Sequence, residues 1–405
     1  MRSASMAAAL LALAAPSALC AGQELLTLGA ASTAGDVPAY RDELLALHKS
    51  LVSIESISGN EGRVGRFLAR DLGARGYTVD RQRVAARAGA SNDTERFNVL
   101  AWRGGGKRAR ARVVVTSHID VVPPYIPYQI DDGPVGKGTM IKGRGSADAK
   151  GSVAAMVVAL DQLLAAGAVG RDDVMLVFVV GEEVGGEGMH AFSDSVGESD
   201  FDSVIFGEPT ENKLACGHKG ALFCELTATG TPGHSGYPWL GKSANELMVR
   251  ALARLLDTDL GSTDAFGNTT VNIGRFQGGV AANVIAEHAL VGLGVRVAIG
   301  REHDGAKAVH DKIQDILGQV DGEALAMNCT QGYGPVESNC NVPGFATTVV
   351  NYATDIPNLK GNHTRYLYGP GSILVAHGAR ENLTVGHLET AVEGYKKLIL
   401  HALKK

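Results

Sequence analysis

Val174-Met175-Leu176-Val177-Phe178-Val179-Val180-Gly181-Glu182-Glu183 reads as a strand buried on both faces that ends in two adjacent acids. An unbroken apolar run of strand length is expected of a parallel strand covered by helices on both sides. Around it, Phe97–Arg103, Arg112–Ser117 and Ser203–Phe206 also read as strands, and Lys150–Ala166 as an Ala-rich buried helix. Strands alternating with helices predict a βαβ sheet. In such sheets, functional groups gather in the crevice beyond the carboxyl ends of the strands, which is where Glu182 and Glu183 fall. Neighbouring carboxylates at that mouth repel each other unless a cation or a proton relieves them. An exposed loop pair is the plainer reading, and it fits poorly with so apolar a strand.

Four further motifs carry groups of the same kind. In Ser117-His118-Ile119-Asp120, His118 follows the strand Val113–Thr116, and a side-chain period of two turns His118 and Asp120 the same way. His118 could then hold a metal ion while Asp120 accepts the other ring N–H and sets the tautomer. Taken alone, the pair is equally a loop histidine beside a turn-forming acid. Asp148, within Gly143-Arg144-Gly145-Ser146-Ala147-Asp148-Ala149-Lys150-Gly151, stands just before a helix. Free N–H groups there favour a carboxylate, either as an N-cap or as a bridging ligand. The third glycine of a dinucleotide loop is missing. Glu208 closes a strand in Gly207-Glu208-Pro209-Thr210, and His377 stands in Ala376-His377-Gly378-Ala379-Arg380-Glu381 after Gly369-Pro370-Gly371. As a set, these imidazoles and carboxylates are ligands that zinc accepts, with one acid left over as a base. A serine hydrolase is disfavoured because no G-x-S-x-G occurs.

Near residue 215 the pattern changes. Ala221–Thr229, Thr270–Phe276 and Ala286–Ile299 read as strands, and Ser243–Leu256 and Ala306–Val320 as helices. This β-α-β-β-α run predicts a small open sandwich set into the larger domain. The expected organisation is a signal segment 1–21, a first catalytic part 38–214, an insert 215–325 and a second catalytic part 326–405. Earlier, Tyr40–Val52 and Gly62–Gly73 carry helical apolar spacing, and Thr348–Ala353 opens a last helical and strand portion.

With 405 residues, two domains are the default expectation. A net charge of −5 gives no basis for a nucleic-acid or anionic-membrane partner. Arg2, the apolar Met6–Ala15, Pro16 and Ala18-Leu19-Cys20-Ala21 form the pattern of a secretory signal, too short to span a bilayer. Sequons at Asn92, Asn268, Asn328, Asn362 and Asn382 accord with a secreted glycoprotein. Cys20 leaves with the signal, and Cys216, Cys224, Cys329 and Cys340 allow two disulfides. Cys329–Cys340, bracketing a Gly/Pro/Asn-rich loop, is the pairing expected from sequence. Without a C-x-x-C, a cysteine–zinc site is not expected.

In this order, the five motifs resemble the M20 family of metallopeptidases, the carboxypeptidase, aminoacylase and desuccinylase group. The resemblance runs from about His118 to the C-terminal helix. It implies an α/β zinc-peptidase-type catalytic domain with a mixed sheet flanked by helices, plus an inserted α+β lid or dimerisation domain. It also implies two zinc ions per subunit bridged by Asp148, one completed by His118 and Glu208 and the other by Glu183 and His377. Asp120 would orient His118, and Glu182 would be the general base for a metal-bound hydroxide. In the insert, His234 in Gly233-His234-Ser235 resembles a histidine that reaches a neighbouring subunit's site and stabilises the oxyanion. Asn283 resembles a substrate-contacting residue, and Arg296 the arginine that holds a substrate carboxylate. Gly371 would line the substrate pocket, with a tight turn as the plainer reading, and His218 reads as structural. The implied activity is hydrolysis of a peptide or amide bond beside a free C-terminal carboxylate, on a small peptide. An aminoacylase acting on N-acyl amino acids, an aminopeptidase, and a non-catalytic binding protein on the same fold are the alternatives. A homodimer through the insert is implied as well.

Overall fold

Residue parity in the buried strands sets the layers of the computed structural model, which describes residues 37–86, 95–105, 111–197, 200–330 and 332–404. The signal reading, Cys20 and the Asn92 sequon lie outside the described residues. Val113, Val115, Leu176 and Phe178 point into one core, and Val114, Met175, Val177 and Val179 into another on the opposite face. Alternating side chains feed both cores, so both faces of these strands are apolar until the Thr116-Ser117-His118 end of the Val113–His118 strand. The helices are α1 (Arg41–Val52), α2 (Gly62–Ala74), α3 (Lys150–Ala165), α4 (Glu187–Asp194), α5 (Ala244–Asp257), α6 (Gly305–Asp321) and α7 (Val385–Leu403). Residues of α1, α2, α3 and α7 fill the first core, and Met189 and Phe192 of α4 join the second.

The large sheet runs Thr78–Arg83, Phe97–Trp102, Val174–Val179, Val113–His118, Ser203–Gly207, Thr364–Tyr368, Leu214–His218 and Val336–Glu337, with Thr347–Val350 also paired to Leu214–His218. The four central strands are mutually parallel, and the flanking pairs include antiparallel ones. The sheet is therefore mixed and flanked by helices. Among the described residues, no helix is long and apolar enough to cross a membrane.

The insert is a four-stranded antiparallel sheet in the order Thr270–Gly278, His288–Val297, Gly220–Thr229 and Leu325–Cys329. Buried residues of α5 and α6, among them Met248, Leu252, Val309 and Ile313, share one core with this sheet. Leu325–Cys329 adds a strand to the expected β-α-β-β-α run. Leu214–His218 belongs to the large sheet and Leu325–Cys329 to the small one. The chain thus changes sheets at Lys219 and leaves the insert sheet after Cys329.

The outgoing and returning chains run antiparallel across that crossing. Glu337 pairs with Gly217, Val336 with His218, Tyr333 with Ala221 and Cys329 with Cys224. At the crossing itself, a Cβ on Gly220 would come 2.1 Å from the Tyr333 carbonyl oxygen, so only glycine fits. The disulfides are Cys216–Cys340 on the large-sheet side and Cys224–Cys329 on the insert side. This corrects the expected Cys329–Cys340 pairing. Cys329 stands directly opposite Cys224 in the ladder, a neighbour that only strand register reveals.

The two bridges close segments of 124 and 105 residues. Cross-links over such spans restrict the unfolded chain strongly, so the Cys216→Ser/Cys340→Ser and Cys224→Ser/Cys329→Ser variants should each lose about 2–5 kcal/mol of stability. Denaturant titration reads this as a lower midpoint. Parent-like midpoints in both variants would contradict it.

Candidate metal centre

Each group at the candidate centre sits where a rigid element ends. His118 is the last residue of its strand, Glu182 and Glu183 follow Val174–Val179 across Gly181, and Glu208 follows Ser203–Gly207. Asp148 precedes α3 by one turn residue, Ala149, which itself takes the N-cap position, so Asp148 is not the helix's N-cap. His377 adopts a left-handed φ of 60°, which re-aims its ring at the end of the 372–378 turn.

Asp148 is the centre's meeting point. Its Oδ1 lies 3.2 Å from His118 Nε2, and its Oδ2 lies 3.2 Å from His377 Nε2. Glu208 Oε1 is 3.7 Å from the same His118 nitrogen, and Glu183 Oε2 is 2.9 Å from the same His377 nitrogen. His118, Asp148 and Glu208 form one cluster of candidate ligand atoms, and Asp148, Glu183 and His377 form a second. The two clusters share only Asp148. Glu182 stands apart from both and lines a small cavity with Thr116, His118, Glu208 and Asp355.

The His118 Nδ1–H donates to the main-chain carbonyl of Asp120 at 3.0 Å, while the Asp120 carboxylate lies 3.6 Å from that nitrogen. Asp120 therefore fixes the tautomer through its backbone. Its carboxylate accepts from Ser58 Oγ at 2.7 Å and from the Glu182 and Glu183 amides at 3.1 and 3.3 Å, which pins the Glu182-Glu183 turn to the His118 strand.

A second support went unassigned in the sequence reading. Glu381 is buried, accepts from the Ala147 and Asp148 amides at 3.1 Å each, and pairs with Arg144 at 2.7 Å. Arg144 also donates to the carbonyls of His377 and Gly378 at 3.3 Å. One buried ion pair thus holds the loops of Asp148 and His377 together. Both residues lie inside motifs that were recognised, but nothing local to either motif pairs them. Asp355 was also missed. It is buried, and one of its oxygens accepts from Asn358 at 2.8 Å while the other has no partner.

The charge balance tests whether cations fit. Asp120, Asp148, Glu182, Glu183, Glu208 and Asp355 converge here, faced directly by two imidazoles. Burial pushes the Glu182 and Glu208 carboxyls well above their ordinary range, and their neighbours' negative charge adds to it. Burial and then the Asp148 charge raise Glu183 to about 6. Burial alone would lower the His118 imidazole, but Glu208, Asp120 and Asp148 outweigh it and hold it well above its usual value. Hydrogen bonds to Asp148 and Glu183 raise His377 to about 10. Burial thus presses these acids toward their neutral forms unless a cation shares the site, and Glu183 Oε1 is buried without a partner. Two nitrogen and three carboxylate donors, with surplus negative charge, fit a pair of zinc-type cations.

The candidate residues of the insert stand elsewhere. His234 is exposed and makes its hydrogen bond within the insert, its Nδ1 accepting from the Gly236 amide at 3.0 Å. Asn283 is its neighbour on the next loop, where the Asn283 carbonyl accepts from Ser235 N at 3.0 Å. Arg296 lies over the Phe223 ring at 5.8 Å. Between insert and centre, burial and then the charges of Glu182 and Asp355 raise the Tyr333 phenol, while Arg296 opposes them. Tyr333 on the returning strand thus senses both. Gly371 has φ +80°, and a Cβ there would lie 2.8 Å from the Ala147 Cβ, so a close turn against the Asp148 loop accounts for it. His218 is buried, bonded to Lys219 O and Thr354 Oγ1, and burial lowers it to about 4.

Two predictions follow from this chemistry. A carboxyl with a folded value above its unfolded one lends stability at low pH that is lost as pH rises. Glu183, moved from 4.5 to about 6, and Asp355, moved from 3.8 to about 7 by burial, set the window. Chelator-treated protein should therefore lose thermal stability as pH rises from about 4 to 7. Added zinc, replacing the protons, should abolish that slope in melting temperature. A flat profile without metal would refute it. Separately, Glu381→Gln leaves every candidate ligand in place yet should weaken zinc binding about 10–100-fold, measured by competition with a chromophoric chelator.

Residues 216–325 match the family model for the peptidase dimerisation domain of M20 type, and residues 98–207 match that for peptidase family M28. A peptidase M20 domain-containing protein of Sordaria macrospora is 51% identical over 93% of this chain and 88% of its own length. A probable carboxypeptidase of Aspergillus fumigatus is 45% identical over 89% of this chain and 87% of its own. Among solved structures, a tripeptidase from Staphylococcus aureus superposes with a TM-score of 0.70 at 21% identity, covering 90% of this chain and 99% of its own. An M20 family metallo-carboxypeptidase from Sulfolobus solfataricus gives 0.68 at 15% identity, covering 90% of this chain and 100% of its own.

Proposed function

The chain belongs to the M20 family of metallopeptidases, and we propose that it is a secreted dizinc carboxypeptidase-like enzyme acting on small peptides. The observation that carries this reading is Asp148, whose two carboxylate oxygens face separate His/Glu pairs. His118 and Glu208 would hold one zinc ion, Glu183 and His377 the other, and Asp148 would bridge them. When bound, such a pair polarises a substrate carbonyl and acidifies water.

The chain's own residues do the rest. Glu182, half-buried, lining a cavity with His118 and Glu208 and belonging to neither cluster, accepts a proton from the attacking water and returns it to the leaving amine nitrogen as the C–N bond breaks. Asp120 holds Glu182 in place through its amide. Arg296 binds the substrate's terminal carboxylate, a bidentate task suited to guanidinium. The exposed His234, brought to the site by closure or by a second copy's insert, donates to the developing oxyanion, with Asn283 beside it on the substrate. The relatives named as probable carboxypeptidases support this choice. Two disulfides among the described residues support export to an oxidising compartment.

Glu182→Gln should keep both zinc ions by metal analysis and lose about 10²–10⁴-fold in kcat, the range of a general base. A variant with near-parent turnover would refute the assignment. A panel of N-blocked dipeptides, free tripeptides and C-terminally amidated peptides separates the substrates. Cleavage of the first with inertness of the last is the carboxypeptidase outcome.

A further inference from the structure

Away from the metal centre, α2 presents Arg63, Arg66, Phe67 and Arg70 along one exposed stripe, spaced i, i+3, i+4 and i+7. Arg81, on the strand beside α2, and Ile54 complete a cleft of about 390 Å³ lined by these six residues. Four guanidiniums gather here, although the chain has 43 acidic and 38 basic side chains. Elsewhere some exposed arginines pair with acids, as Arg112 does with Asp202, Arg250 with Glu246 and Arg275 with Glu225, and others, such as Arg254 and Arg301, stand singly without an ion pair among the described residues; here four gather in one cleft. In the cleft, Arg66 reaches Glu95 at 3.5 Å, and Arg63, Arg70 and Arg81 form no ion pair among the described residues. Clustered like charges repel one another, so the arrangement favours an anion that bridges them. The stripe spans about 10 Å of helix, longer than a single phosphate or carboxylate.

Two features narrow the anion to a polypeptide. The floor of the cleft carries Phe67 and Ile54, partly buried against the core, which offer apolar area that a bare polyanion would leave unused. Thr78–Arg83, which supplies Arg81, is the edge strand of the large sheet, paired among the described residues on one side only, with Phe97–Trp102. Its free edge offers main-chain partners to an extended chain. Guanidinium forks match side-chain carboxylates bidentately.

We propose that this cleft is an exosite for an acidic stretch of polypeptide, whose carboxylates engage Arg63, Arg66, Arg70 and Arg81 while an apolar side chain rests on Phe67 and Ile54. It shares no residue with the metal centre, so it stands whatever that centre hydrolyses.

Fluorescence anisotropy of the full chain with a labelled Glu-Glu-Phe-Glu-Glu peptide tests it. Blocking both peptide termini removes the free end that the metal centre would take. Saturable binding that weakens steeply with added salt is expected. The Arg63→Gln/Arg70→Gln variant should lose about tenfold or more in affinity, with thermal melting confirming its fold. Arg254→Gln, a charge change on the remote α5, should leave affinity at the parent value. Equal binding by the double variant and the parent would overturn the proposal. So would an equal loss in Arg254→Gln, or saturable binding of a heparin oligosaccharide with none of the peptide.

Discussion

Surplus negative charge at the mouth of a fully buried sheet is the constraint on which this molecule turns. Carboxylates in so dry a setting resist ionisation, and the half-buried Glu182 and the buried Glu208 and Asp355 show that resistance in their raised protonation ranges. Two imidazoles relieve only part of it. The arrangement is stable because each acid hangs from an element it cannot leave. The strands are held by cores on both faces, and the loops of Asp148 and His377 by the Arg144–Glu381 pair. A buried ion pair is costly unless its remaining hydrogen-bonding capacity is met. Here Glu381 meets it with two main-chain amides and Arg144 with carbonyls, so the pair works as a clamp on two ligand loops at once.

The second organising feature is the crossing between sheets. A single strand there would leave the insert on a flexible tether. Instead, two antiparallel chains cross together, with a disulfide on each side of the crossing and a glycine where the backbones come closest. Motion of the insert must then bend a ribbon. Tyr333 lies on that ribbon, where burial and then the charges of Glu182 and Asp355 raise its phenol while Arg296 opposes them.

The elements that were readable from sequence are those with strong local patterns. Val174–Val179, Ser203–Gly207 and α3 announce themselves by continuous apolar runs. Thr78–Arg83, an exposed polar edge, lacks such a run, and Leu214–His218 is interrupted by cysteine, glycine and histidine. Both are strands because neighbours pair with them. The metal-type residues were legible because chemistry restricts ligands to few residue types, and strand ends bring such residues together. Asp355, Arg144 and Glu381 were not, since an Asp or an Arg–Glu pair 237 positions apart has no local signature.

By itself, the sequence determined the residue types of the centre, their order, and the strands that carry them, because hydrophobic periodicity and ligand chemistry are local properties of a chain. Only the tertiary structure decided which oxygen of Asp148 faces which imidazole. It also decided that Asp120 reaches His118 through its carbonyl, and that Cys216 joins Cys340 while Cys224 joins Cys329. Those outcomes depend on register and on contacts between distant segments, and packing alone fixes them.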